Sequence, residues 1–262
     1  MRILFFGDVY GRVGREVLAR RIGPLVKETG ADAVIVNGEN AAGGKGITAQ
    51  ICRELFALGV DVITLGNHAW DKREIATYID EEPRLIRPLN YPPGTPGGGS
   101  YVVRREGRPA LAVVQVQGRV YSPQLLEDPF RAVEGEVERL RQSTPIIVVD
   151  CHADATSEKQ AMGWFLDGQV SAVIGTHTHV QTADEVVLPG GTAYITDVGM
   201  CGPWVSVIGA ERELALERFL TQLPVRLEAA KGPAVLCAVL LEVDDRTGRA
   251  TDIRRIFERE VA

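Results

Sequence analysis

The sequence predicts an α/β fold in which two mixed β-sheets pack together with helices on their outer faces. In the first third of the chain, short apolar runs alternate with helical patterns, which is typical of parallel strands joined by helical crossovers. The middle of the chain has a hairpin pattern, and the last third consists mostly of short strand patterns. We therefore expect residues 1–262 to form one domain built on two mixed sheets.

The elements of the first third follow from the periodicity of apolar residues. The largely apolar run Arg2–Phe6 predicts a strand, and apolar spacing predicts a helix over Glu16–Glu28. The next predicted elements are a strand at Ala33–Asn37, a helix at Gln50–Leu58 after Thr48, and a strand at Val62–Leu65. Asp71 is then predicted to cap a further helix, because Glu74 three residues later completes a capping box.

The rest of the chain changes character after a loop rich in proline and glycine at Pro88–Gly99. A hairpin is predicted over Tyr101–Arg104 and Ala110–Gln117, around Gly107. The later predictions are helices near Phe130–Arg141 and Glu211–Leu220, and strands near Ile146–Val149, Ala172–Ile174, Glu185–Leu188, Ala193–Thr196 and Ala234–Val243. The parallel beginning and the antiparallel end favour two mixed sheets.

Composition excludes several classes of protein. The net charge is −6, from 29 basic and 35 acidic residues, and no long basic run is present, which argues against a surface that coats nucleic acid. The apolar start ends at Gly7, which is too short for a signal peptide or a membrane span. The four cysteines form no C-x-x-C pair. We expect a cytoplasmic protein with reduced cysteines and no membrane partner.

The histidines carry the strongest functional signal. All four, His68, His152, His177 and His179, lie in short motifs that follow predicted strands, and two similar motifs surround Asp8 and Glu39. In four of these five motifs a glycine directly precedes the polar group, where the backbone can turn sharply or approach a ligand closely. Because ligands bind beyond the carboxyl ends of strands in open α/β sheets, we expect these side chains to meet at one edge.

The mixture of side chains indicates a metal site. Carboxylate, amide and imidazole ligands together suit manganese, iron or zinc. The motifs offer more ligands than one ion needs, which favours two ions about 3.5–4 Å apart that generate hydroxide and bind both oxygens of a phosphoryl displacement. If Asp8 and Glu39 are the only anionic ligands, about −2 opposes about +4 from two divalent ions, and the remaining positive charge attracts phosphate.

The motifs resemble those of the calcineurin-like metallophosphoesterases, and more closely those of the YmdB-like branch. The similar motifs are Gly7-Asp8-Val9-Tyr10-Gly11-Arg12, Gly38-Glu39-Asn40, Gly66-Asn67-His68-Ala69-Trp70-Asp71 and Gly175-Thr176-His177-Thr178-His179-Val180-Gln181. The resemblance implies a four-layer αββα fold. It also implies a metal-dependent phosphodiesterase that hydrolyses cyclic nucleotides, chiefly 2′,3′-cyclic ones, with 3′,5′-cyclic AMP as a further candidate.

The resemblance also implies roles for individual residues. One ion would be held by Asp8, Glu39, Asn40 and His179, and a second ion would be held by the bridging Glu39 together with Asn67, His152 and His177. His68 would be the general acid while a metal-bound hydroxide attacks phosphorus. The implied cofactors are two divalent or transition-metal ions per chain, iron or manganese, with zinc as an alternative. The implied partner is a small phosphorylated substrate, a cyclic nucleotide; RNA ends and a homo-oligomer stay open.

The chain departs from the general pattern of the superfamily in three places. The usual Asp-x-His opening is Asp8-Val9-Tyr10, and the usual bridging Asp is Glu39. The carboxylate that normally follows Gly-Asn-His is replaced by Ala69, with Asp71 two residues further. These departures match the YmdB-like branch.

Simpler roles for the same residues stay open. Asp8 could cap the following helix, and Asn40 could be an ordinary turn residue, because neighbours on a regular strand face opposite ways. Asp154, Asp184, Asp197 and Thr178 could orient imidazoles, and surface or turn roles fit them at least as well. For Arg12, Lys45, Lys72 and Arg73, near the motif loops, a solvated role fits better than a contact with phosphate.

Two other functions remain as alternatives: a phosphomonoesterase with the same metal site, and a metal-binding regulatory scaffold without catalysis. Every implied ligand position and His68 are filled, which argues against the scaffold. A metal-dependent amidohydrolase also uses a His-x-His pair, but carries it early on its first strand. Here Asp8 opens the series of motifs and His177-Thr178-His179 closes it, so this class is disfavoured.

Overall fold

Two mixed β-sheets stack face to face in the computed structural model, which describes residues 1–260. The strands are β1 (Arg2–Phe6), β2 (Asp8–Val9), β3 (Ala33–Asn37), β4 (Val62–Thr64), β5 (Leu85–Ile86), β6 (Ser100–Val103), β7 (Leu111–Gln117), β8 (Ile146–His152), β9 (Ala172–Thr176), β10 (Val186–Val187), β11 (Ala193–Ile195), β12 (Met200–Pro203), β13 (Ala234–Val243) and β14 (Ala250–Arg259). The helices are α1 (Gly11–Thr29), α2 (Ala49–Ala57), α3 (Ile75–Glu81), α4 (Pro129–Leu140), α5 (Thr156–Phe165) and α6 (Arg212–Thr221).

The first sheet has eight strands. Its order is β2-β12-β13-β1-β3-β4-β5, and β14 pairs with β13. Strands β1, β3, β4 and β5 are parallel neighbours, whereas β13 runs antiparallel to β1. Parallel strands need crossover connections, and α1, α2 and α3 lie in those connections. The carboxyl ends of β1, β3 and β4 therefore lie side by side at one edge.

The second sheet has six strands in the order β10-β11-β9-β8-β7-β6. Strands β7, β8, β9 and β11 are parallel, and the flanking β6 and β10 are antiparallel to their neighbours. His152 at the end of β8 pairs in register with Thr176 at the end of β9. This register brings the last two histidine motifs next to each other.

The alternation of side chains along β1 shows how the layers are joined. Leu4 and Phe6 pack in the cluster between the first sheet and its helices, while Ile3 and Phe5 pack against the second sheet. All four side chains are fully buried. Helices α4 and α5 cover the other face of the second sheet. The result is four layers, helix–sheet–sheet–helix, as the sequence predicts.

Most predicted elements are present, and the largest departures have local causes. Helix α1 begins at Gly11, five residues before its predicted start, because Gly11 and Gly14 are poor helix formers that hide the pattern. The sequence did not predict β2, β5, β12, β14 or α5. Asp71 does not cap α3, which begins at Ile75 after Glu74. All four cysteines are buried and free, as expected.

Candidate metal centre

The predicted site residues come together at the edge where the strands of both sheets end. Asp8 lies in β2, Glu39 and Asn40 follow β3, and Asn67 and His68 follow β4. The second sheet contributes His152, His177 and His179. Asp8, Glu39, Asn40 and His152 are almost completely buried. The sheets thus bring all eight residues to one place.

The side chains form two groups of possible metal ligands that share Glu39. One group is Glu39, His152 and His177, and the other is Asp8, Glu39 and His179. Within each group the ligand atoms lie within 4.8 Å of one another. A carboxylate common to two groups suits a site for two adjacent ions.

The surroundings of His152 Nε2 fit a bound cation. This nitrogen lies 2.9 Å from Asn67 Oδ1, 3.2 Å from Glu39 Oε1 and 3.1 Å from His177 Nδ1. One ring nitrogen with at most one proton cannot satisfy three such neighbours at once. A cation among them would accept lone pairs from all four atoms.

Two orphaned oxygens support the same fit. Asp8 Oδ1 and Asn40 Oδ1 are buried and lack a hydrogen-bond partner among residues 1–260. A buried oxygen without a partner costs about 1–3 kcal/mol, and coordination of a hard cation removes that cost. The donor set, oxygen and imidazole without thiolate, therefore fits metal ions of the manganese, iron and zinc class.

The backbone positions the ligands that the first sheet contributes. Ala41 N donates to Gly38 O (3.1 Å), which closes a turn directly after β3, so that Glu39 and Asn40 line the same cleft. Gly66 lies against the ligand atoms. A β-carbon there would stand 2.3 Å from Glu39 Oε2 and 2.4 Å from His152 Nε2. Only glycine lets the backbone approach this closely.

Asp8 does not act as a helix cap. Helix α1 follows Tyr10, whose side chain makes no cap hydrogen bond to the described residues. Asp8 Oδ2 instead accepts from His177 N (3.2 Å), and its Oδ1 lies 4.0 Å from His179 Nε2. The carboxylate of Asp8 therefore links the first sheet to the His177–His179 segment.

The charges at the centre perturb the pKa values of its ligands. Burial raises the pKa of Asp8, and neighbouring imidazoles limit the rise, to about 7. Burial alone would lower the pKa of His152, but the carboxylates of Glu39, Asp8 and Asp150 raise it to about 9. Burial alone would raise the pKa of Glu39, but His152, His68 and His177 lower it to about 2.

A buried chain of hydrogen bonds fixes the orientation of His152. Thr176 Oγ1 donates to Asp150 Oδ1 (2.7 Å), so it accepts from His152 Nδ1 (2.8 Å). The Nδ1 proton is thereby fixed, and Nε2 is free to face the ligand cluster. Asp150, itself held by Thr64 and Asn37, was not predicted to have this role.

A buried ion pair supports the segment that carries the last two histidines. Lys159 Nζ donates to Asp197 Oδ2 (2.8 Å) and to Thr176 O (3.1 Å), and both side chains are at most 1% exposed. Asp197 Oδ2 also accepts from Thr178 N (3.0 Å). His177 and His179 have φ values of 97° and 65°, a strained conformation for residues with a β-carbon that surrounding contacts must hold.

His68 lies beside the metal-ligand cluster and has a carboxylate partner of its own. Its Nδ1 is 3.1 Å from Asp71 Oδ2, and its backbone N donates to Glu39 Oε2 (3.2 Å). Because a carboxylate only accepts, Nδ1 donates to Asp71, and Nε2 is left for another partner. Asp71 therefore contacts the imidazole of His68 and is not the predicted helix cap.

Comparison with known proteins decides the family. Residues 4–256 match the family model described as YmdB-like protein. The chain belongs to the YmdB-like family. It is 50% identical over 257 residues to the 2′,3′-cyclic-nucleotide 2′-phosphodiesterase of Bacillus subtilis, covering 98% of this chain and 97% of that protein.

Two solved structures share the fold of this YmdB-like chain. A hypothetical protein from Thermus thermophilus is 44% identical, with a TM-score of 0.92 and complete coverage of both chains. A phosphatase from Mycoplasma pneumoniae is 36% identical, also with a TM-score of 0.92, covering 99% of this chain and 93% of that one. Within residues 1–260 of the YmdB-like chain, no helix is long and apolar enough to span a membrane.

A cleft of about 550 Å³ opens from the metal-ligand cluster of this YmdB-like chain to solvent. Its inner end is lined by Glu39, Asn40, His68, His177 and His179. Its outer wall is lined by Lys45, Ile208, Arg218, Phe219 and Leu227. Small-molecule sites generally have volumes of about 300–1,000 Å³, so the cleft has room for a substrate much larger than a phosphate group.

The remaining candidate residues, for which simpler roles stayed open, divide between the site and the surface of the protein. Asp197 and Thr178 support the histidine segment, and Lys45 lines the cleft together with Asp154. Asp184 belongs to neither ligand group and accepts hydrogen bonds from Thr182 and Thr196. The guanidinium of Arg12 pairs with Glu16 at the surface.

Proposed function

We propose that this chain is a metal-dependent phosphodiesterase that hydrolyses 2′,3′-cyclic nucleotides. The observation that carries the proposal is the pair of ligand groups sharing Glu39, with His68 beside them at the inner end of an open cleft. Half of the residues are identical to those of a 2′,3′-cyclic-nucleotide 2′-phosphodiesterase over nearly the whole of both chains, which supports the same reaction here. The ring would open at the 2′ oxygen and leave a nucleoside 3′-phosphate.

The proposed ligands divide into two sets. Asp8, Glu39, Asn40 and His179 would hold one ion, and Glu39, Asn67, His152 and His177 would hold the other. We propose iron or manganese, with zinc as the alternative, because the donor set contains oxygen and imidazole but no thiolate. When bound, two such ions activate water and neutralise charge on the phosphate.

His68 would be the proton donor for the leaving oxygen. Its Nδ1 donates to Asp71, and its side chain lines the cleft at the inner end. The remaining nitrogen, Nε2, is then available to hold a proton for the ribose oxygen as the P–O bond breaks. Asp71 would act by fixing the tautomer and orientation of this ring.

We further propose that the whole chain works as one domain. Carboxylates and amides from the first sheet meet imidazoles from the second, so neither sheet alone would form the centre. We place the protein in the cytoplasm, where a reducing environment suits four buried, free cysteines.

The test compares leaving groups. The manganese-loaded protein is assayed with 2′,3′-cyclic AMP, 3′,5′-cyclic AMP, bis-p-nitrophenyl phosphate and p-nitrophenyl phosphate. We expect cleavage of 2′,3′-cyclic AMP to 3′-AMP, and a drop in kcat of roughly 10²–10⁴-fold in His68→Ala. The drop should be much smaller with bis-p-nitrophenyl phosphate, because p-nitrophenolate leaves without a proton.

Arg73→Ala is the matched control, since Arg73 is exposed near His68 but outside the cleft lining. Equal losses of activity on 2′,3′-cyclic AMP and on bis-p-nitrophenyl phosphate in His68→Ala would rule out the proton-donor role. Hydrolysis of p-nitrophenyl phosphate without any cleavage of the cyclic diesters would favour a phosphomonoesterase. Two bound ions with no hydrolysis of any substrate would favour a regulatory scaffold.

A further inference from the structure

The residues between β12 and β13, 204–233, form an excursion that carries α6 to the outer end of the cleft. Backbone hydrogen bonds close its base, from Ala230 N to Gly209 O (2.9 Å) and from Glu211 N to Glu228 O (2.9 Å). His179 Nδ1 donates to Ile208 O (2.8 Å). The 204–233 excursion is thus attached directly to one of the proposed metal ligands.

The cleft side of this excursion is apolar and exposed. Ile208, Phe219 and Leu227 line the cleft although 53%, 70% and 37% of their surfaces are exposed. Only Ala215 of the fully described α6 is buried. Large apolar side chains exposed beside a cluster of charged ligands indicate that another molecule covers them.

Two cations complete this wall. Lys45 and Arg218 both line the cleft, and no carboxylate of residues 1–260 forms an ion pair with either. The loop that carries Lys45 is fixed to the centre, because Asn40 Nδ2 donates to Gly44 O (3.0 Å). The carboxylates that also line the cleft are Glu39, which belongs to the metal-ligand cluster, and Asp154.

We propose that the 204–233 excursion binds the nucleoside half of the substrate and that Arg218 and Lys45 bind a phosphate on its 5′ oxygen. This inference rests on the proposed function. With the 2′,3′-cyclic phosphate at the metal-ligand cluster, the base stacks on Phe219 against the apolar wall. The 5′ oxygen is then the one remaining hydroxyl position of the ribose that can carry a second phosphate. The positive charges of Arg218 and Lys45 complement the negative charge of that phosphate.

The substrate class is therefore a 2′,3′-cyclic nucleotide that also bears a 5′-phosphate. A free nucleoside 5′-phosphate 2′,3′-cyclic phosphate has this chemistry, and so does the 3′ end of an RNA, where the 5′-phosphate is the internucleotide linkage. The two sources differ only in what lies beyond that phosphate.

The test compares kcat/KM for three adenosine substrates on the manganese-loaded protein. They are adenosine 2′,3′-cyclic phosphate, its 5′-phosphorylated form, and the dinucleotide ApA ending in a 2′,3′-cyclic phosphate. We expect the 5′-phosphorylated form to exceed the unphosphorylated one by about tenfold at low salt, and the ratio to fall as salt is raised. A similar advantage for the dinucleotide identifies RNA ends as substrates, and an advantage for the mononucleotide alone identifies the free nucleotide.

Two variants with matched controls on the same helix locate the subsite. Arg218→Ala should bring the ratio between the 5′-phosphorylated and unphosphorylated substrates close to one, and Phe219→Ala should raise KM for all three by roughly tenfold. Arg212→Ala and Leu220→Ala are the controls, because both residues are exposed on α6 but do not line the cleft. Neither control should change the ratio or KM.

A binding measurement keeps the test independent of turnover. The manganese-loaded protein is titrated with adenosine 3′,5′-bisphosphate and with adenosine 3′-monophosphate, neither of which is a phosphodiester. We expect tighter binding of the bisphosphate, with the difference lost in Arg218→Ala. Equal binding of the two, or a kinetic ratio near one with 2′,3′-cyclic AMP still hydrolysed, overturns the subsite while sparing the proposed function. A lower molecular mass of the Phe219→Ala protein in solution, with unchanged kinetics, would show that the apolar wall of the cleft mediates self-association instead of binding the nucleoside.

Discussion

The two sheets contribute chemically different halves to the candidate metal centre. The first sheet contributes carboxylates and amides, namely Asp8, Glu39, Asn40 and Asn67, and the second contributes the imidazoles of His152, His177 and His179. In the first half the backbone does the positioning, through the turn after β3 and the close approach of Gly66. In the second half, buried polar side chains do it.

The difference follows from what each ligand type needs. A carboxylate offers two equivalent oxygens, so it needs only to be brought near the ion. The amide of Asn40 must present its oxygen, and it can do so because its Nδ2 donates to the backbone oxygen of Gly44. An imidazole must present the correct nitrogen, so it needs an acceptor on the other one. Changes in the acidic half should therefore act on metal binding directly, and changes beneath the imidazoles should act first on stability.

The largest expected effect comes from Glu39→Gln, which removes the carboxylate shared by both ligand groups with little change in shape. We expect turnover to be lost and bound manganese to fall well below two ions per chain, because neither ion keeps a shared anionic ligand. Metal analysis and kcat for 2′,3′-cyclic AMP check this. Glu16→Gln, an exposed substitution, is the control. Retention of two ions and of activity would show that Glu39 is not shared.

The next effect should appear in stability. Lys159→Met leaves the Asp197 carboxylate buried without its cation, and removing one partner of a buried ion pair costs about 3–5 kcal/mol. Denaturant unfolding of the chelator-treated protein measures the change in unfolding free energy. Lys27→Met, an exposed helix position, should change it by less than about 0.5 kcal/mol. Equal values for the two variants would mean that Lys159 does not support the histidine segment.

The asymmetry also explains what the sequence could predict. The ligands of the first sheet could be predicted because a glycine next to a polar residue at a strand end is a local signal in the sequence. The side chains that support the imidazoles were harder to predict, because Lys159 reaches Asp197, 38 residues away, only once the second sheet has formed. Asp150 did leave a trace, since a carboxylate inside an apolar run, two residues before His152, faces the same side.

The fold shows the same division. Strands β1 and β3 have their predicted bounds because four of the five residues in each are apolar and buried. Strand β14 was missed because charged residues lie on both of its faces, with Arg254 and Arg255 exposed and Glu258 half-buried, so that little apolar pattern remains in the strand that pairs with β13. The two-residue strand β5 is too short for any periodicity.

The smallest effect is a proton balance in which each half contributes one ligand that must lose a proton and one that need not. In the metal-free chain carboxylate neighbours raise the pKa of His152 to about 9, and burial raises that of Asp8 to about 7. At pH 7 His152 is therefore protonated and Asp8 about half protonated, and a metal must displace these protons. Burial and the neighbouring His152 lower the pKa of His177 to about 3, and the pKa of Glu39 is about 2, so these two release none. Apparent metal affinity should therefore rise with pH up to about 9.

Calorimetry in buffers of different ionisation enthalpy measures this release, which we expect to be about one to two protons per chain at pH 7. Metal binding without proton release, and with an affinity independent of pH between 6 and 9, would show that the ions displace no protons from His152 or Asp8.

The most direct test of the two-ion phosphodiesterase follows hydrolysis while manganese is added stepwise to the chelator-treated protein. Bound metal per chain and the conversion of 2′,3′-cyclic AMP to 3′-AMP are measured at each step. The two ligand groups sharing Glu39 predict that activity appears mainly as the second ion binds and saturates at two ions per chain. Full activity with one ion, or none with two, would contradict it.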